Sequence, residues 1–267
     1  MKATYQPTRK KDGMIVDQIL SGGHMLINRK VQNIHEESLV QNYDLGTRLV
    51  VDDRVFRYSK AGTALVAMMG GHCGNLPTEV NSHAVASVAG SNEVTILDAN
   101  ARVVDYYAGG YIWTMNLTSG VFEMYRIKSS AVSAGTSILL TLEEALAVEL
   151  PATTWLTAWP NIYGNILGTA SGFMSQVVVA LRPVQNGYYF WGQTWGPCFG
   201  TVVSSTPGRL STDREIFFNI DGALHASVDV APESTNPIPQ RAGFLITNTS
   251  PGGAGYGDQL YMLQISP

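Results

Sequence analysis

The feature that most constrains this chain is its punctuation. Short runs rich in Val, Ile, Leu, Tyr, Phe and Trp recur about every ten residues, with Gly, Asn, Ser or Asp clusters between them. Val103–Tyr107, Tyr111–Met115 and Phe122–Ile127 follow one another with Gly109-Gly110 and Ser119-Gly120 in the gaps. Runs this short cannot be amphipathic helices, and strands at this spacing are the mark of an all-β sandwich or barrel. Arg48–Val51 and Arg54–Tyr58, joined by Asp52-Asp53, read as a β-hairpin, since a two-residue Asp-rich connection suits a tight turn. Further strands are expected at 83–89, 93–97, 176–181, 188–195, 200–203, 225–230, 243–248 and 260–265. Thr63–Met69 reads as a short helix from its Ala, Leu and Met content, and 138–150 as two strands either side of Glu143-Glu144. Segments 151–175 and 231–241 read as long loops. The fold class that follows is mainly β, an antiparallel sandwich or barrel-like body with less than about a fifth helix.

Residues 1–40 read as an extended N-terminal arm and 41–267 as the β-rich body, with a break between two sub-domains near 150–175. The arm has no sustained period. It is expected to lie along a partner or its own core, anchored by Ile15, Val16, Ile19 and Leu20 and helped by Arg29 and Lys30. Residues 1–60 carry a balance of +3 and the rest of the chain −7, so a basic arm precedes an acidic body.

Charged residues are only 14% of the chain, against roughly 25% in an ordinary soluble domain. A surface so poor in repelling charge leans towards assembly. The net charge of −4 argues against electrostatic nucleic-acid binding. The N-terminus lacks the apolar run of a secretory signal, and no stretch reaches the length of a membrane helix, so no membrane partner is expected.

The sequence fits no catalytic pattern. Gly168-Thr-Ala-Ser-Gly172 has the wrong spacing for a nucleophile elbow. Cys73 and Cys198 lie far apart and read as free thiols. His72-Cys73 has no second ligand pair at zinc spacing, and His24, His35, His83 and His225 are scattered. Glu143-Glu144 and Asp52-Asp53 are adjacent carboxylates, which on a strand would point to opposite faces and cannot share a substrate. No phosphate-binding glycine loop is present. No enzyme activity, metal or cofactor is expected.

Two aromatic clusters stand out: Tyr106, Tyr107, Tyr111 and Trp113, then Tyr188, Tyr189, Phe190, Trp191 and Trp195. They suit a sandwich core, a subunit interface or a sugar-stacking face. Tyr107, Tyr111, Trp191 and Trp195 are the interface candidates.

Three segments carry a resemblance: Leu45–Gly62 (LGTRLVVDDRVFRYSKAG), Tyr125–Ser129 (YRIKS) after the strand Gly110–Trp113, and Tyr188–Pro197 (YYFWGQTWGP). In order and separation they resemble a family of proteins that tailed phages encode near their major capsid protein. The resemblance implies a virion structural protein, a decoration or cement protein on the head surface, with the major capsid protein as partner and no catalytic residues to carry over. Closed cyclic assemblies suit local three-fold positions of an icosahedral shell, so self-association as a homotrimer is expected. The alternative is a tail or head-spike component that binds host surface glycans.

Overall fold

A computed structural model describes residues 5–9, 15–19, 32–74, 78–80, 85–116, 119–168, 174–202, 214–226, 239–246 and 259–267. All regular structure among them is β, in curled, almost wholly antiparallel sheets that form half-barrels. The chain runs through β1 (Tyr5–Arg9), β2 (Ile15–Ile19), β3 (Arg48–Val51), β4 (Arg54–Lys60), β5 (Gly70–Cys73), β6 (Thr78–Val80), β7 (Glu93–Leu97), β8 (Ala101–Arg102), β9 (Tyr111–Asn116) and β10 (Val121–Ser130). It continues through β11 (Ser133–Ala134), β12 (Ser137–Leu142), β13 (Trp155–Trp159), β14 (Ile166–Leu167), β15 (Gln176–Ala180), β16 (Tyr189–Gly200), β17 (Glu215–Phe218), β18 (Leu224–Ala226), β19 (Arg241–Leu245) and β20 (Gln259–Gln264).

Two compact units result. The first contains residues 1–74 and 163–267, and the second, Asn75–Ile162, is inserted within it. The insertion is possible because β5 and β14, on either side of it, pair antiparallel through Ile166 with Cys73 and Leu167 with His72. The expected break at 150–175 contains one boundary. The other, at 74/75, has no counterpart in the sequence reading, because strands 93 residues apart pair across the insert and no local pattern marks that.

In the first unit the sheet order is β18-β17-β19-β20-β16-β4-β3-β1-β2, with β15, β5 and β14 branching from β16. The predicted hairpin is β3–β4, in register from Arg48 opposite Arg57 to Val51 opposite Arg54. Asp52 takes the left-handed conformation its turn requires, at φ 55°. Hydrophobic alternation fails in β4 because Val55, Phe56, Tyr58 and Ser59 are all buried; a strand covered on both faces has no polar side to show.

The centre is β16, twelve residues long. Its first half lies between β4 and β15, and its second half pairs with β20. The sheet forks at a bulge between Gln193 and Trp195, where Gln193 turns its side-chain amide inward to donate to the carbonyls of Trp195 (3.0 Å) and Pro197 (2.9 Å). Pro197, which has no N–H for a ladder, lies past the end of the β4 pairing at Trp195, where β16 has β20 on one side only. The strand expected at 188–195 thus continues to Gly200, the first residue of the run expected at 200–203.

Of residues 1–31, expected to be part of the arm, 5–9 and 15–19 are described. β1 and β2 form an antiparallel hairpin from Tyr5 opposite Ile19 to Arg9 opposite Ile15, and β1 meets β3 in parallel at Thr8 and Val50.

The second unit is a six-stranded antiparallel sheet, β6-β13-β9-β10-β12-β7, beside the small β8–β11 ribbon. Its core is Val94, Ile96, Tyr107, Ile112, Tyr125, Ile127, Ile138, Leu140, Leu142, Leu146, Leu150, Leu156 and Ala158. In β12 the alternation is plain, with Ile138, Leu140 and Leu142 inward.

Four expectations are corrected. Thr63–Met69 is not a helix: Leu65 exchanges both backbone hydrogen bonds with Val184, and Met68 is left-handed at φ 59°. Propensity contributes only tenths of a kcal/mol per residue, and seven residues cannot repay helix nucleation. Val103–Tyr107 is a series of turns, strapped to β10 by Asp105, whose N–H donates to the Ser130 carbonyl at 2.8 Å while its carboxylate accepts from the Ser130 N–H at 3.2 Å. After β12 the chain makes no second strand and only a bridge between Leu150 and Ser87. The expected loop 151–175 contains β13 and β14. The expected strand at 83–89 lies partly outside the described residues, as do the loop at 231–241 and the ends of the 225–230 and 243–248 strands.

Candidate interaction surface

The outer face of the second unit's sheet is built by alternation. In β9, Ile112, Thr114 and Asn116 point into the core, so Tyr111, Trp113 and Met115 point out. In β13, Leu156 and Ala158 are buried while Trp155 and Trp159 are exposed; in β10, Tyr125 and Ile127 are buried and Phe122, Met124 and Arg126 exposed. Register then lines these up in three rows. Trp155, Met115 and Phe122 form the first, Thr157, Trp113 and Met124 the second, and Trp159, Tyr111 and Arg126 the third. Trp113 and Phe122 pack diagonally, ring centroids 5.8 Å apart.

Tyr111, Phe122, Met124, Trp155 and Trp159 are between 39% and 69% exposed. Three of the five tryptophans in the chain therefore stand on one sheet face, and among the nine residues of these rows only Arg126 is charged. A single exposed apolar residue needs no explanation, but a contiguous patch of this size marks a binding surface.

Compared with known proteins, the chain matches no protein-family model, no curated protein and no solved structure.

The sequence-derived interface residues are distributed unevenly. Tyr111 lies on the aromatic face. Trp195 is half-buried at the β16 bulge. Ile15, Val16 and Ile19 lie on β2, the outermost strand at its end of the sheet, while Leu20, Arg29 and Lys30 lie outside the described residues. Tyr107 and Trp191 are corrections, since both are fully buried in the chain's own cores and cannot meet a partner. Trp191 packs between Tyr43 and Tyr58, at 5.0 and 4.9 Å between ring centroids, and donates its indole N–H to the Gln32 carbonyl at 3.0 Å. Trp113, Met115, Phe122, Met124, Trp155 and Trp159 were missed as a group. Their alternation was legible strand by strand, but β13 falls in the expected loop and the assembly of three strands needed the register.

Tyr107 is held by a buried polar network. Its hydroxyl donates to Asp98 at 2.8 Å, Arg102 pairs with the same carboxylate oxygen at 2.8 Å, and the Asn100 N–H donates to the other at 2.9 Å. Burial pushes the Asp98 pKa up, but the hydrogen bonds from Arg102, Asn100 and Tyr107 outweigh it and hold the carboxyl below its ordinary value. In the unfolded chain it titrates near 3.9, so above that pH the network contributes its full stability, and the contribution is lost as pH falls through the lower folded value. Denaturant midpoints measured from about pH 2 to 5 should therefore rise with pH, and Asp98→Asn should flatten that rise. Tyr107→Phe should cost about 1–2 kcal/mol at neutral pH by removing one hydrogen bond to a buried charge.

Other reactive groups are placed structurally. Burial pushes the Cys198 thiol up to about 12, so it is not a thiolate at neutral pH. His72, on β5, has its pKa lowered by burial. Among the described residues no three His, Cys, Asp or Glu side chains gather as a metal site. A groove of about 330 Å³ in the first unit is lined by Ile34, Glu37, Leu181, Arg182, Val184 and Trp191. Its charged groups serve the chain itself, Arg182 donating to the His35 carbonyl and Glu37 accepting from the Gln185 N–H and side-chain amide.

Proposed function

We propose that this protein is a virion structural component, a decoration or cement protein on the head of a tailed phage, which acts by holding protein surfaces together. The observation that carries the reading is the aromatic face of the second unit. Tyr, Trp and Met are the residues enriched in protein interfaces, and the low charge of the whole chain suits a protein that spends its life among other subunits. The head is proposed from the resemblance to proteins encoded beside major capsid proteins. On this reading the major capsid protein is the partner of the arm, whose outer strand β2 ends the sheet and can take up a further strand.

Protein quantification in purified particles tests it. A decoration protein should approach the copy number of the major capsid protein, and a chain lacking residues 2–20 should fold but bind the particle more weakly. A few copies per particle would indicate a tail or spike component instead, and absence from the particle would defeat both.

A further inference from the structure

We propose that the aromatic face Tyr111, Trp113, Met115, Phe122, Met124, Trp155 and Trp159 binds the same face of a second copy, making a two-fold dimer. The inference rests on the reading of this face as an interaction surface and names its partner.

The first argument is area. Aromatic side chains present about 150–250 Å² each, so at the observed exposures the face offers on the order of 500–700 Å² per copy. A standard stable interface needs about 800 Å² per partner. Interfaces of standard size extend down to about 600 Å² per partner, an area this face supplies by itself. A self-paired face therefore falls within the range of a specific dimer.

The second argument is charge. In a face-to-face two-fold arrangement a residue meets the position obtained by reflecting the grid through its axis. With the axis along the strands, Arg126 comes to lie over Trp159 of the second copy; with the axis across them, over Phe122. Either way the only cation of the grid meets an aromatic ring, a favourable contact, and no like charges are opposed. The remaining contacts are rings, two methionines and Thr157, and Met side chains adapt to fill irregular gaps between rings.

A sugar ligand fits less well. Sugar sites need polar groups that fix the hydroxyls, and beyond Thr157, Arg126, the Tyr111 hydroxyl and the indole N–H groups this grid has no carboxylate or amide to accept from them.

Analytical ultracentrifugation of the full chain across a concentration series tests the proposal. Wild type should be a dimer that dissociates on dilution, with tryptophan emission shifting to the red as Trp113, Trp155 and Trp159 meet water. Met124→Lys and Met124→Glu should each weaken the dimer by about 100-fold or more, since either axis sets this position against Thr157 or against itself and leaves the buried charge unpaired. Met124 is 69% exposed in the single chain, so circular dichroism should show both variants folded. Val66→Lys, at an exposed position of the first unit, should leave dissociation unchanged. If either face variant failed to fold, the red shift of wild type on dilution would still report the interface.

Wild type that stays monomeric at all concentrations overturns the dimer, as does a dimer or trimer that the face variants leave intact. If wild type is monomeric yet binds particles, and the face variants lose that binding, the dimer is wrong while the face remains an interaction surface. Monomer that binds immobilised glycans through this face also overturns it. Monomer that binds neither particles nor glycans removes the reading of the face as well.

Discussion

Trp191→Ala should destabilise the first unit by about 3–5 kcal/mol, the cost of emptying a fully buried indole site. The site cannot collapse easily, because Tyr43 and Tyr58 flank the ring and Tyr58 is itself tied to a polar hub. That hub is the buried Gln32, whose side-chain oxygen accepts from the Tyr58 hydroxyl at 2.7 Å and the Asn42 side-chain amide at 3.0 Å, while its own amide donates to the Tyr189 carbonyl at 2.7 Å. Removing the indole also leaves the Gln32 carbonyl without its N–H donor, and a buried orphan acceptor costs about 1–3 kcal/mol. Trp191→Phe should fall between, retaining most of the packing and losing the hydrogen bond. Trp155→Ala, on the exposed face, should change the stability of the single chain by less than about 1 kcal/mol. Urea unfolding followed by circular dichroism compares the three, and a Trp191→Ala midpoint close to that of Trp155→Ala would contradict the assignment of Trp191 to the core.

Gly196→Ala should cost about 3 kcal/mol or more, because two separate effects act at one site. The backbone is left-handed there, at φ +94°, which costs a side-chain-bearing residue about 1–2 kcal/mol. A methyl group would also stand 2.4 Å from the Asp53 carbonyl oxygen and 2.9 Å from Arg54 Cα, and backbone atoms in a hairpin turn cannot step aside as a flexible side chain would. Gly187 separates the two effects. It has φ +84° with nothing within 4 Å of an added Cβ, so Gly187→Ala should show the conformational cost alone, about 1 kcal/mol. Equal losses from the two substitutions, read as shifts in denaturant midpoint, would show that the approach of the β3–β4 turn to the β16 bulge is looser than the structure describes.

Trp191 and Trp155 show where a sequence stops being informative. Both are tryptophans in strand-like surroundings, and nothing within five residues of either tells which will be buried. The difference arises because Trp191 faces Tyr58, 133 positions away, whereas Trp155 lies on the side of β13 opposite to Leu156 and Ala158, which take the core. Tyr107 and Tyr111 divide in the same way, one closing on Asp98 and the other joining the outer face.

The chain by itself determined the β class, the β3–β4 hairpin and most of the strands whose side chains alternate, because period-two patterning and turn chemistry act over a few residues and need no partner. It also carried the low charge that leaves broad faces without repulsion. Only the tertiary structure decided the insertion of the second unit between β5 and β14, the fork of the sheet at β16, the loss of the expected helix at 63–69 and the gathering of seven apolar side chains on one face. Each of these depends on which distant backbone groups pair and in what register, and a shift of one residue in β13 would have turned Trp155 and Trp159 into the core and Leu156 and Ala158 out to solvent.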